Sequence, residues 1–197
     1  MYHTKFHRLF AMSCVMVFSM VVLCISGCHV ELYEKYETSD VDEYGVYQGH
    51  IEMEDTGLFS PLLVFPEKIA DSAQDVEYYY RCACDALDNT YEVYLKCTYD
   101  KDTYEDEVKR LSQIRTTEGK VEKYIAYTEE RFVYPAYVAI YDDYDCYEYA
   151  LVNAEKNQFV YVYDQIKNLE DFLDSQYIPV DYDWTAKASS GFNIYDE

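Results

Sequence analysis

The chain has 197 residues, half of them hydrophobic, with 38 acidic side chains against 16 basic ones and a formal charge of −22. So acidic a surface repels nucleic acid and anionic lipid head groups, and excludes both as surfaces to bind against. The length allows one domain with a substantial core, and 25 tyrosines are the compositional outlier.

The first elements are a cationic start, Lys5 and Arg8, and a nearly unbroken apolar run from Leu9 to Ile25. The small residues Ser26 and Gly27 then precede Cys28. This is the anatomy of a secretory signal, and Ile25-Ser26-Gly27-Cys28 resembles the lipobox of bacterial lipoproteins. The resemblance covers residues 1–28 only. It implies cleavage after residue 27, a diacylglyceryl thioether on the Cys28 thiol, and display outside the cytoplasm on a bacterial membrane. Two or more acyl chains, palmitate among them, bury enough CH₂ groups, at about 0.8 kcal/mol each, to hold the protein stably. The apolar run is also close to the ~20 residues that a bilayer-crossing helix needs. An uncleaved span and an ordinary secretory signal are therefore the competing readings. None of the three specifies an activity.

Residues 28–57 read as the lipidated cysteine and an acidic tether, rich in Glu and Asp and containing Gly45, Gly49 and Gly57. As a flexible coil such a length spans on the order of 30 Å. Val46, Tyr47 and Ile51 are candidates to dock a short piece of it. The folded domain is expected over 58–182, with a loose tail at 183–197 in which Trp184 is the one anchor candidate.

Within the domain, Leu62–Phe65 reads as a short strand, and Pro66 as the first position of a helical turn through Ile69. Val76–Cys84 and Tyr91–Tyr99 alternate apolar and polar residues, with Asp85–Thr90 between them as a hairpin loop. The clearest helix is Thr103–Arg115. Asp102 is its expected N-cap, with Glu105 three residues on and Lys109, Arg110 and Arg115 toward the negative end. Tyr104, Val108, Leu111 and Ile114 form its apolar stripe. Four strands are expected next, at Val121–Tyr127, Ala136–Tyr141, Cys146–Val152 and Phe159–Tyr163. Asn168 is placed to cap a last short helix through Leu173. Short turns between these strands predict an α+β fold: a mostly antiparallel sheet of about five to seven strands, with one main helix (103–115) on one face.

The later strands group their tyrosines. Tyr137 and Tyr141 share one side of a strand by simple alternation, as do Tyr147 and Tyr149, and Tyr161 and Tyr163. One reading is structural, since tyrosine suits strands and packs its ring while its hydroxyl stays wet. The other is a ligand platform of Tyr137, Tyr141, Tyr147, Tyr149, Tyr161 and Tyr163, open on the face opposite the helix. An exposed aromatic face rimmed by acids suits a glycan or a partner protein.

Exported proteins form disulfides, so a cross-strand bond of Cys97 with Cys82 or Cys84 is one reading of the cysteines. Small buried hydrophobes are the other. Cys82-x-Cys84 is not a zinc spacing, and the acidic runs Asp100–Glu107 and Asp142–Asp145 lack the glycine and final glutamate of an EF-hand loop. No cofactor or metal is expected. Beyond the signal, the histidines are His29 and His50, both near the tether. This leaves little for a Ser-His or Cys-His mechanism. Three roles remain: a non-catalytic binding or interaction module, a cell-envelope hydrolase using two carboxylates, and a structural accessory subunit of an envelope complex.

Overall fold

The computed structural model describes residues 34–48, 62–84, 89–118, 121–187 and 190–195. The signal segment and Cys28 lie outside the described residues, as do Val46, Tyr47 and Ile51 where docking side chains are concerned. No helix among the described residues is long and apolar enough to cross a membrane.

The fold is α+β, with one main helix among the described residues packed on a large sheet. In chain order the strands are β1 (Glu34–Thr38), β2 (Gln74–Cys84), β3 (Asn89–Thr98), β4 (Arg115–Glu118), β5 (Val121–Tyr124), β6 (Ala126–Thr128), β7 (Ala136–Asp143), β8 (Cys146–Asn153), β9 (Gln158–Asp164) and β10 (Phe192–Asn193). Eight of them form one sheet of order β1-β2-β3-β9-β8-β7-β10, with β6 on the outer edge of β7 beside β10. The other two, β4 and β5, pair as a separate hairpin. Within the sheet, the pairings from β2 through to β10 are all antiparallel, as the short turns require.

The helix, α1, spans Lys101–Ser112. Its N-cap is Asp100, whose carboxylate accepts from the Thr103 backbone N–H at 2.8 Å, and not Asp102, which lies inside the first turn. The expected stripe is correct. Leu111 is fully buried, and Tyr104, Val108 and Ile114 pack around the same core. Arg115, expected as the helix end, begins β4 instead.

Three expectations need correction at the domain's ends. Leu62–Phe65 and the turn after Pro66 are irregular bends rather than strand and helix. Part of the expected tether belongs to the domain. Residues Glu34–Thr38 add the edge strand, and a 3₁₀ segment Val41–Gln48 buries Tyr44, whose hydroxyl donates to the Pro66 carbonyl at 2.7 Å. Acidic composition marks this stretch as solvated, but its tyrosines supply enough apolar area to dock it. Part of the expected tail returns as well. Ile194 is fully buried while Trp184 is 66% exposed. Asp143 holds the returning segment by accepting from the Gly191 N–H (3.1 Å) and the Asn193 amide (2.9 Å).

Both faces of the sheet are covered. Helix α1 and residues 62–65 cover one. Phe132 and the segment carrying Leu169, Leu173, Tyr177 and Ile178 cover the other. Two-sided burial explains the near-continuous apolar runs of β7 and β8. In the last segment Asn168 precedes a 3₁₀ turn, Leu169–Asp171, but its side chain does not cap it. Its amide donates to Glu92 at 2.6 Å.

Candidate ligand-binding groove

The six tyrosines expected to form one open platform do not come together. Tyr137, Tyr161 and Tyr163 lie on the helix side of the sheet. Tyr141, Tyr147 and Tyr149 lie on the other. Five are buried outright and Tyr163 is half-buried. Two features of the backbone cause the split. A bulge between Val138 and Ile140 adds a residue to β7, which turns Tyr141 away from Tyr137. The turn at 154–157 sets β8 against β9 so that Ala150 faces Tyr161 and Val162 faces Tyr149. Each large ring thus meets a small neighbour on its own face, and both faces pack densely. Tyr149 donates to the Tyr177 carbonyl at 2.9 Å beneath the covering segment. Tyr161 donates to Glu107 at 2.7 Å beneath the helix.

The cysteine pairing is also corrected. Cys82 and Cys97 are not joined in a disulfide, and both are buried. Cys82 sits opposite Tyr91 and Cys84 opposite Asn89. Cys82 is therefore about 20 Å along the hairpin from Cys97, at ~3.4 Å per residue. A disulfide tolerates only about 4.4–6.8 Å between Cα atoms. Burial pushes the Cys97 thiol up to about 12, which suits an inert core residue.

One concave site does gather tyrosines. A groove of about 430 Å³ opens where the start of α1, β6, the entry to β7 and the end of β8 meet. Helix α1 contributes Tyr104 and Val108, β6 contributes Tyr127, and the β7 entry contributes Tyr134, Pro135 and Tyr137. The β8 end and its turn close it with Val152, Asn153, Ala154 and Glu155. The Asp100 cap fixes the first helical turn and so the position of Tyr104, whose ring packs on Phe159 at 5.2 Å. The Val152 N–H donates to the Pro135 carbonyl at 2.8 Å, tying the floor together. Asn157, at φ 51°, lets the turn carrying Glu155 close, a conformation asparagine adopts at little cost.

The groove's polar atoms divide into two sets. The Tyr127 hydroxyl donates to Glu129 at 3.2 Å and that of Tyr134 to Gln176 at 3.1 Å. The side chains of Tyr104, Tyr137, Asn153 and Glu155 have no hydrogen-bond partner among the described residues. Burial raises the Tyr104, Tyr127 and Tyr137 hydroxyls above the ordinary phenol range, and Glu129 adds to the effect at Tyr127. All three are therefore protonated donors at neutral pH. Among the described residues Glu155 is the one carboxylate of the lining, and no Lys or Arg contributes to it.

Buried carboxylates elsewhere are taken up by the fold. Glu107 receives Arg110 at 2.6 Å as well as Tyr161. Glu92 receives Arg81 at 3.0 Å and Asn168. Asp164 accepts the Ile166 and Asn168 N–H groups, and burial lifts it to about 7. Glu148 accepts from the Val64 N–H at 2.9 Å and the Tyr195 hydroxyl at 2.6 Å, and burial lifts it to about 7. No group of three or more His, Cys, Asp and Glu suited to a metal ion occurs among the described residues.

Of the groove's four rings, the sequence singles out Tyr137 as a binding candidate and Tyr104 only as part of the helix stripe. Tyr127 and Tyr134 carry no signal of their own. No local pattern could join the four, because they come from three elements that meet only through the sheet register. Comparison with protein-family models, with curated proteins and with solved structures finds no match to this chain.

Proposed function

We propose that this chain is a bacterial lipoprotein, held outside the cytoplasm by a lipid on Cys28, and that it acts as a non-catalytic binding module through the groove of Tyr104, Tyr127, Tyr134 and Tyr137. The observation that carries the reading is the groove itself. Four aromatic rings stand beside polar groups that have no partner among the described residues, in a concavity of about 430 Å³, a size and lining common among small-ligand sites. The ligand is not acidic. A chain at −22, with one carboxylate and no cation among the described lining residues, suits a neutral glycan or a basic segment of a partner protein.

The two-carboxylate hydrolase gains no support from this site, because hydrolysis of that kind needs two acids about 5–10 Å apart and the described lining residues supply only Glu155. The anchor is tested by intact mass of the membrane-extracted protein, expected to begin at Cys28 and to carry acyl mass. The binding role is tested with the full chain on arrays of neutral oligosaccharides and lysine-rich peptides. Tyr127→Ala should abolish capture, and capture unchanged by it removes the groove from the function.

A further inference from the structure

We infer that the groove recognises a quaternary ammonium group, of the kind choline carries. The inference rests on the groove being a ligand site and names what that site prefers.

A tetraalkylammonium ion offers no hydrogen-bond donor and a diffuse positive charge. It is held by the electron-rich faces of aromatic rings together with a nearby anion. Tyrosine is the only aromatic type among the described lining residues, and four are present. The rings of Tyr127 and Tyr137 lie 5.1 Å apart at an interplanar angle of 52°, so they do not make one flat shelf of the kind on which a pyranose ring stacks best.

The hydroxyl bonds increase the rings' pull. Tyr127 donates its proton to the Glu129 carboxylate and Tyr134 to the Gln176 carbonyl oxygen. A phenol that donates to an acceptor gains electron density on its ring, and so a more negative face. Glu155 adds the anion, and no Lys or Arg stands beside it among the described lining residues. The whole chain's charge of −22 raises the local concentration of any cation. The protein already stabilises one cation on a tyrosine face, with the Arg131 guanidinium 4.1 Å from the centre of the Tyr141 ring.

The test is calorimetric titration of the full-length protein in detergent with choline. In parallel, 3,3-dimethyl-1-butanol serves as the uncharged isostere, phosphocholine as the head-group form and chitotriose as a neutral sugar. Choline should bind at least about tenfold more tightly than the isostere, the range that cation–π and carboxylate attraction together supply. Tyr127→Ala should lose choline binding by about tenfold or more. Tyr144→Ala, on an exposed turn away from the groove, should leave it unchanged. Phosphocholine binding as tight as choline would point to a lipid or polymer head group as the source, and weaker binding to a free or protein-borne ammonium group. Equal affinity for the isostere overturns the inference, as does a Tyr127→Ala protein that still binds choline. Chitotriose binding that Tyr127→Ala abolishes, with no choline binding, refutes the ammonium preference and leaves the groove standing. Binding of none of the four overturns the ammonium inference, and failure of the lysine-rich peptides as well removes the groove from the function.

Discussion

Glu148 is the least expected group in the fold, and replacing it with glutamine gives a sharp pH test. Its carboxyl is fully buried on β8, where it accepts from the Val64 N–H at 2.9 Å and the Tyr195 hydroxyl at 2.6 Å. Tyr195 in turn accepts the Leu63 N–H at 3.2 Å. One side chain therefore ties residues 62–65 and the C-terminal return to the centre of the sheet. Desolvation outweighs these hydrogen bonds and lifts the group from an ordinary 4.5 to about 7. The sign follows from proton counts. Between pH 4.5 and 7 the folded protein holds a proton here that the unfolded chain has released, so stability contributed by this group falls as pH rises. Each pH unit across that interval is worth about 1.36 kcal/mol, and the ionised form therefore costs ~3 kcal/mol by pH 8. Glutamine keeps the shape and cannot ionise. Urea unfolding followed by circular dichroism at pH 5 and pH 8 should show Glu148→Gln gaining about 3 kcal/mol on the parent between the two. Asp164, raised in the same direction, is present in both proteins and cancels. A difference between variant and parent that does not change with pH would refute the reasoning.

Other substitutions probe the joints of the fold. Gly191→Ala places a Cβ 1.9 Å from the Tyr141 carbonyl oxygen, so β10 should detach, costing about 1–3 kcal/mol and opening the chain from residue 190 onward to limited proteolysis. Asp100→Ala removes the cap of α1; a loss of about 1 kcal/mol is expected in urea unfolding, with weaker ligand binding because Tyr104 loses its fixed position. Tyr149→Ala and Tyr161→Ala should each cost about 3–5 kcal/mol, since both rings are fully buried. Unaltered stability in either would contradict the two-sided core. Cys82 and Cys97 should both react with iodoacetamide after denaturation without reductant, read by mass, and Cys97 should be inert in the folded protein.

Much of the sheet was legible because its periodicity is strong. Val93, Leu95 and Cys97 alternate cleanly and share one face, the one that α1 covers, and the stripe on α1 is where a 3.6-residue period puts it. Faces were harder than strands. Alternation assigns Tyr137 and Tyr141 to one side, and only the bulge at Val138–Ile140 separates them. A bulge leaves no trace in apolar spacing. The same holds between β8 and β9, where a turn one residue shorter or longer would exchange every ring for its small partner. The edge elements were invisible for a different reason. Glu34–Thr38 is short and mostly polar and Phe192–Asn193 is only two residues long, and they become strands because β2 and β7 present unpaired edges to them. The groove depends on all of these at once, so its tyrosines could be counted in the sequence but not assembled.

Hydrogen exchange across the full chain, with and without saturating choline and in a parallel run with chitotriose, shows where this protein meets its ligand. Slowed exchange is expected at residues 104–108, 126–128, 134–137 and 152–155, the segments that line the groove, with 169–178 on the opposite face unchanged. Protection centred on 169–178, or on the exposed Trp184, would contradict the assignment of the groove as the binding site.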